Sequence, residues 1–151
     1  VASAISLEVD GLVETLQATR GLEADLRRVA NGELRKAAGL CATQLVGDLR
    51  SAAAGSGVPV ASRVARSARV KSDRLPSVSL GGGTRAGRYG APAAALLWGS
   101  EHGPRGEVNH FAVPPSSGYW IRPTVERFKG SGALQIYRTA VGSILRRWRL
   151  I

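Results

Sequence analysis

Hydrophobic and polar positions alternate over residues 4–9, with Ile5, Leu7 and Val9 on one side and Ser6 and Glu8 on the other, which predicts a half-buried opening strand. Asp10 then stands where a side-chain oxygen caps free helical N–H groups, and Glu14 adds charge favoured near the positive end of the helix dipole. A helix is therefore expected over residues 11–30, carried by Leu12, Leu16, Leu22, Leu26 and Val29, with Asn31-Gly32 as a break or C-terminal cap. A second helix over residues 33–54 has the more regular stripe: Leu34, Ala38, Cys41, Leu45, Leu49 and Ala52 follow the helical repeat, with Arg35, Lys36, Asp48 and Arg50 off it. Gly55-Ser56-Gly57-Val58-Pro59 ends it as a turn.

Beyond the turn the pattern shortens. Arg63, Arg66 and Arg69 recur three apart and share one face if this stretch is helical. Residues 68–72 and 75–80 read as a hairpin about Asp73-Arg74, with Pro76 confining its strand to a sheet edge. Residues 81–90 hold too many glycines to bury a face and read as a mobile loop. Residues 93–98 form a short apolar run that leads into a polar turn at 99–103, a loop at 104–107 and a strand-like stretch at 108–113. Tyr119, Trp120 and Ile121 read as a strand end. Pro123, with no N–H to lose and a preset φ, hands the chain over to a helix. After Gly130-Ser131-Gly132 the closing helix carries Leu134, Tyr137, Val141, Ile144, Leu145 and Trp148 as one stripe. The order of elements predicts a single α+β domain spanning residues 1–151, with long helices packed on a small, mostly antiparallel sheet and a helix at the C-terminus.

Composition narrows the functional classes. At 151 residues and 44% hydrophobic content the chain suits one domain with a real core. It has no run of eighteen apolar residues and no basic-then-apolar leader, so neither a membrane span nor a secretion signal is expected. A lone Cys41 excludes an internal disulfide, and its place in a helical stripe marks it as a packed thiol. The net charge of +10 is uneven: residues 1–34 contribute −3, leaving +13 for the rest. Of the 21 basic residues 18 are arginine, a surface suited to polyanions or acidic protein faces.

Catalytic readings fail on spacing. The glycine segment lacks the Gly-Lys-Ser/Thr ending of a Walker loop, and Ala86 stands where the dinucleotide fingerprint needs its third glycine. Ser100, Glu101 and His102 are adjacent, whereas a hydrolase triad is assembled from separate segments. His102 and His110 with Glu101 and Glu107 match no metal-binding helix pair. No enzyme activity, cofactor or metal is expected. Arg63, Arg66, Arg69, Arg85 and Arg88 are candidates for contact with DNA phosphates or an acidic partner, although only 5% of residues are aromatic, which leaves little for base stacking. Arg146-Arg147-Trp148-Arg149 reads as the snorkelling polar side of a packed helix near its negative end.

Several ordered pieces give the chain a family resemblance. Gly11-Leu12 follows the opening strand and precedes long Ala-rich helices, and a Pro59 turn leads to Val64-Ala65-Arg66-Ser67. Trp98-Gly99-Ser100-Glu101-His102-Gly103 is similar to an aromatic-Gly-Thr/Ser turn, and Tyr119-Trp120-Ile121-Arg122-Pro123-Thr124-Val125 to a Pro-Phe-Leu-Arg-Pro-Ala-Leu motif. Together they resemble the gene-product-ten-like family of head-tail joining and tail-completion proteins of lambda-like tailed bacteriophages. The chain departs from that pattern at Tyr119, where proline is usual, in its expanded glycine segment, and in an insertion over residues 104–117.

The resemblance implies a non-enzymatic virion protein assembled in the host cytoplasm. Six copies would form a ring at the head-tail junction, between the head-closure protein and the tail terminator or tail tube, with the genome passing through. It places Trp98, Gly99, Glu101, Tyr119, Trp120, Arg122 and Pro123 as candidate ring or partner contacts. The segments 81–90 and 104–117 are expected to reach neighbouring subunits. The alternatives are a tail-terminator ring protein and a stand-alone basic DNA-binding protein.

Overall fold

The computed structural model describes residues 4–8, 24–74, 76–87, 89–102 and 120–147. Its spine is one helix, α1 (Ala24–Gly55), which runs straight through the break expected at Asn31-Gly32. A Cβ added at Gly32 meets nothing within 4 Å, so this glycine costs the helix only its propensity, about 1 kcal/mol. Burial of Leu34 just beyond it returns about 1.5–3 kcal/mol, so packing overrides the local signal. The predicted helical segment over residues 11–23 lies outside the described residues. The buried side of α1 comprises Ala30, Leu34, Ala37, Ala38, Cys41, Ala42, Leu45, Val46, Leu49 and Ala53, the expected stripe widened by alanines.

After α1 come α2 (Pro59–Ala65), β1 having opened the chain at Ala4–Glu8, then β2 (Arg69–Lys71) and β3 (Ser77–Gly81). The three strands form an antiparallel sheet in the order β1-β3-β2. The hairpin about Asp73-Arg74 forms as expected, pairing Arg69 with Ser79, Val70 with Val78 and Lys71 with Ser77. The expected edge position of the proline-led strand is corrected, because β3 is central. Pro76 lies one residue outside the ladder, where its missing N–H costs no sheet bond. Val78 and Leu80 are 1% exposed and enter the core.

The segment 81–90 also departs from expectation. Ala86 is buried, and the turn is closed by its own backbone: Ala86 N and Gly87 N donate to Ala91 O, Ala93 N to Thr84 O and Ala94 N to Gly82 O. Gly87 is required by close approach, since a Cβ there would stand 2.6 Å from the Ala91 Cβ. The glycines here permit a folded turn instead of preventing burial.

The apolar run at 93–98 continues as helix α3 (Ala93–His102), which absorbs most of the predicted polar turn. Its buried residues Ala93, Leu97, Ser100 and Glu101 show why: the polar pair is held inside by hydrogen bonds. The predicted strand over 108–113 lies outside the described residues. Helix α4 (Ile121–Arg127) begins two residues earlier than expected, with Ile121 and Arg122 already helical and Pro123 in the first turn, where its N–H would be spare. The chain does not pause at Gly130-Ser131-Gly132; a π-helical turn, Phe128–Gly132, joins α4 to α5 (Ala133–Arg147). The stripe of α5 is rotated from the expected one. Ala133, Ile136, Tyr137, Ala140 and Ile144 pack on the core or α1, while Leu134 and Val141 are left 47% and 43% exposed. One apolar cluster draws on α1, α2, β3, α3, α4 and the π turn, with Leu49, Val64, Val78, Leu80, Leu97, Trp120 and Phe128 among its members.

Candidate functional site

Residues 98–102 and 120–125 meet at the junction of α3 and α4. Residue Trp120, which stands before α4, contributes no side-chain cap, and the first N–H groups of a helix have no partner within it. Glu101, from the last turn of α3, supplies the partners. Its Oε2 accepts from Ile121 N at 2.8 Å and its Oε1 from Arg122 N at 2.9 Å. A carboxylate here also complements the positive end of the α4 dipole.

Trp120 reinforces the joint. Its Nε1 donates to Ser100 O at 3.1 Å, and Thr124 Oγ1 donates back to Trp120 O at 2.7 Å. Trp120 is 4% and Glu101 6% exposed, so both candidate contact residues are used inside the fold. Of the other candidates, Arg122 is exposed and pairs with Glu126 at 3.0 Å, Pro123 is exposed, Gly99 is half-buried and Tyr119 lies outside the described residues. Trp98 remains 53% exposed, its ring stacked on His102 with centroids 5.1 Å apart. A shallow, mainly apolar groove of about 360 Å³ lies along the joint, between Leu97 and Trp98 of α3 and Ile121 and Val125 of α4.

The basic candidates do not share a helix face. Arg63 lies on α2, Arg66 caps its C-terminus, and Arg69 is on β2, because the chain leaves the helix after Ala65. Ser67 makes the change of direction rigid: its hydroxyl donates to Val64 O at 2.5 Å and accepts from Gly81 N at 2.8 Å. Arg69 donates to Thr84 Oγ1 at 3.0 Å, which draws the turn bearing Arg85 towards β2. Arg88 lies outside the described residues. Sequence reasoning missed Ser67, and its one available signal was a serine at the point where helix gives way to strand.

Chemistry-bearing clusters are few. Among the described residues no group of three or more His, Cys, Asp or Glu side chains is placed to hold a metal ion, and no helix is long and apolar enough to cross a membrane. His110 and Glu107 lie outside the described residues. Cys41 is fully buried, as expected, and burial pushes its thiol pKa up. The Tyr137 phenol is pushed up to about 12, first by burial and then by the neighbouring Cys41. A second, polar cavity of about 390 Å³ sits beside the π turn, lined by Gln44, Asp48, Ser51, Arg127 and Ser131. Comparison with protein families, with curated proteins and with solved structures gives no match to this chain.

Proposed function

We propose that this chain is a non-enzymatic subunit of a tailed-phage virion. It forms a ring in the head-tail connector, joining the head-closure protein to the tail while leaving a passage for the genome. The observation that carries this reading is the α3–α4 joint. Two of the four stretches resembling the head-tail joining family, some twenty residues apart, form one unit through Glu101, Trp120 and Ser100. Two motifs that depend on each other for folding belong together in a family pattern more than two independent similarities do.

The surface suits a subunit that assembles. Leu40, Trp98, Leu134 and Val141 are 62%, 53%, 47% and 43% exposed, and Leu134 and Val141 stand seven residues apart on the same side of α5. These side chains supply the apolar contacts a ring interface needs at its centre. In this reading Trp98 and the groove beside it are partner contacts, whereas Glu101 and Trp120 shape that surface from beneath.

Electron microscopy of lysates from a phage with this gene disabled tests the proposal. DNA-filled heads beside separate tails of normal length are the expected result. Overlong tails would move the assignment to a tail terminator, and intact infectious particles would refute it.

A further inference from the structure

A strongly basic stretch among the described residues surrounds α2 and β2. Residues 59–74 contain five basic side chains and one acidic one, Asp73. The local structure turns the five outward. On α2 the inner positions are Ala61, Val64 and Ala65, which leaves Arg63 exposed and Arg66 exposed at the cap. On β2, Val70 packs on the core, so the alternation exposes Arg69 and Lys71 together. Arg74, in the hairpin turn, is exposed as well, and the Arg69–Thr84 bond brings in the exposed Arg85.

No carboxylate among the described residues forms an ion pair with any of these six. Ion pairs between described residues lie elsewhere, as between Glu33 and both Lys36 and Arg147, and between Glu126 and Arg122. Like charges so gathered repel one another, and the positions are held by rigid elements: Ser67 ties α2 to β3, and Arg50 of α1 donates to Ala68 O at 2.9 Å.

We infer that this α2–β2 surface binds the phosphate backbone of double-stranded nucleic acid without reading its sequence. Three features select that partner. Among the described residues the large apolar side chains left exposed are Leu40, Tyr89, Trp98, Leu134 and Val141, none of them in residues 59–74, whereas a protein partner would need an apolar centre to dock on. Residues 59–74 also contain no aromatic, and the exposed Tyr89 in the turn bearing Arg85 is a single ring, too few to stack the successive bases of a single strand. Five of the six charges are arginine, whose planar guanidinium matches phosphate oxygens in pairs and carries its charge at any physiological pH. The inference stands on this surface alone and does not need the ring.

The test is fluorescence anisotropy of the full chain with a labelled duplex DNA of mixed sequence, over a range of salt concentrations. One variant carries Arg63→Gln, Arg66→Gln and Arg74→Gln, three exposed side chains that make no hydrogen bond within the described structure. A control removes equal charge from the long helices through Arg35→Gln, Arg138→Gln and Arg146→Gln. Thermal midpoints matching the parent chain verify that both fold. If each arginine of the first variant meets one phosphate, its slope of log K against log salt is shallower by about 2.7, and the affinity change from 50 to 200 mM salt shrinks about 40-fold. The control keeps the parent slope. Equal loss in both variants would overturn the inference by showing a net-charge effect alone. Displacement of the duplex by polyglutamate at matched charge would overturn it in favour of an acidic protein partner, and tighter binding of single-stranded DNA would overturn the duplex assignment.

Discussion

Replacement of Glu101 by alanine is the most direct probe of the α3–α4 joint. The substitution removes both acceptors of Ile121 N and Arg122 N, bonded at 2.8 and 2.9 Å. Hydrogen bonds to a charged group contribute about 1.5–3 kcal/mol each, and the dipole adds about 0.3–1 kcal/mol. The two donors do not suffer equally. Arg122 is exposed and its N–H recovers water, whereas Ile121 is 8% exposed and its N–H does not. The expected net loss is therefore about 2–4 kcal/mol, which for a chain of this length lowers the thermal midpoint by about 6–12 °C. Glu101→Gln keeps the volume and one acceptor but points an amide N–H at a backbone N–H, for a loss of about 1–2 kcal/mol. Glu126→Gln serves as reference, because its exposed pair with Arg122 is worth at most about 0.5 kcal/mol. Urea unfolding followed by circular dichroism measures all three. Glu101→Ala within about 0.5 kcal/mol of the parent would refute the joint as a structural element.

Glycine substitutions separate packing from propensity. Gly132→Ala places a Cβ 2.8 Å from Phe128 Cδ2 and is expected to cost about 1–3 kcal/mol, while Gly39→Ala, with nothing within 4 Å, stabilises by about 0.5–1 kcal/mol; calorimetry reads both signs. The buried Tyr137 hydroxyl has no hydrogen-bond partner among the described residues, so Tyr137→Phe is expected to leave stability unchanged or raised at neutral pH. Because the folded phenol is raised to about 12 from an ordinary 10, its contribution is fully present below about pH 10 and lost as pH rises towards 12. Unfolding curves between these values should accordingly decline less steeply in Tyr137→Phe. Cys41, buried and raised in pKa, is expected to resist thiol reagents in the native protein and to react fully in urea.

What the sequence revealed depended on whether the deciding contact was local. The β2–β3 hairpin was legible because turn residues and flanking strands adjoin, and Cys41 was legible because its helical stripe is continuous. Gly32 misled because a glycine signal is local, while the burial on either side that overrides it is tertiary. Glu101 was invisible as a cap because its partners lie twenty residues on. A trace existed in the absence of Ser, Thr, Asp or Asn at position 120, which obliges α4 to find its cap elsewhere. The arginine triad failed for a related reason: a spacing of three has no meaning once Arg69 has passed into a strand.

The π turn explains the one misplaced stripe. Helix α4 and its C-cap bury Ile121, Thr124 and Phe128, and its phase is fixed by the Glu101 cap. A regular helix continued in that phase would carry Gln135, Thr139 and Arg146 to the inner side, since these follow Phe128 at spacings of seven and four. Burying such groups without partners costs about 1–3 kcal/mol each. The wide turn at Phe128–Gly132 absorbs one residue, about 100° of rotation, and brings Ala133, Ile136, Tyr137 and Ala140 inward instead. Gly132 is the residue that lets the turn close, because the Phe128 ring occupies the space of its missing Cβ. Leu134 and Val141 face away from the core in either phase and stay outside. The inner face of α5 is thus set by the phase of α4: a change at Glu101 that frees that phase would alter the packing of α5 on the core.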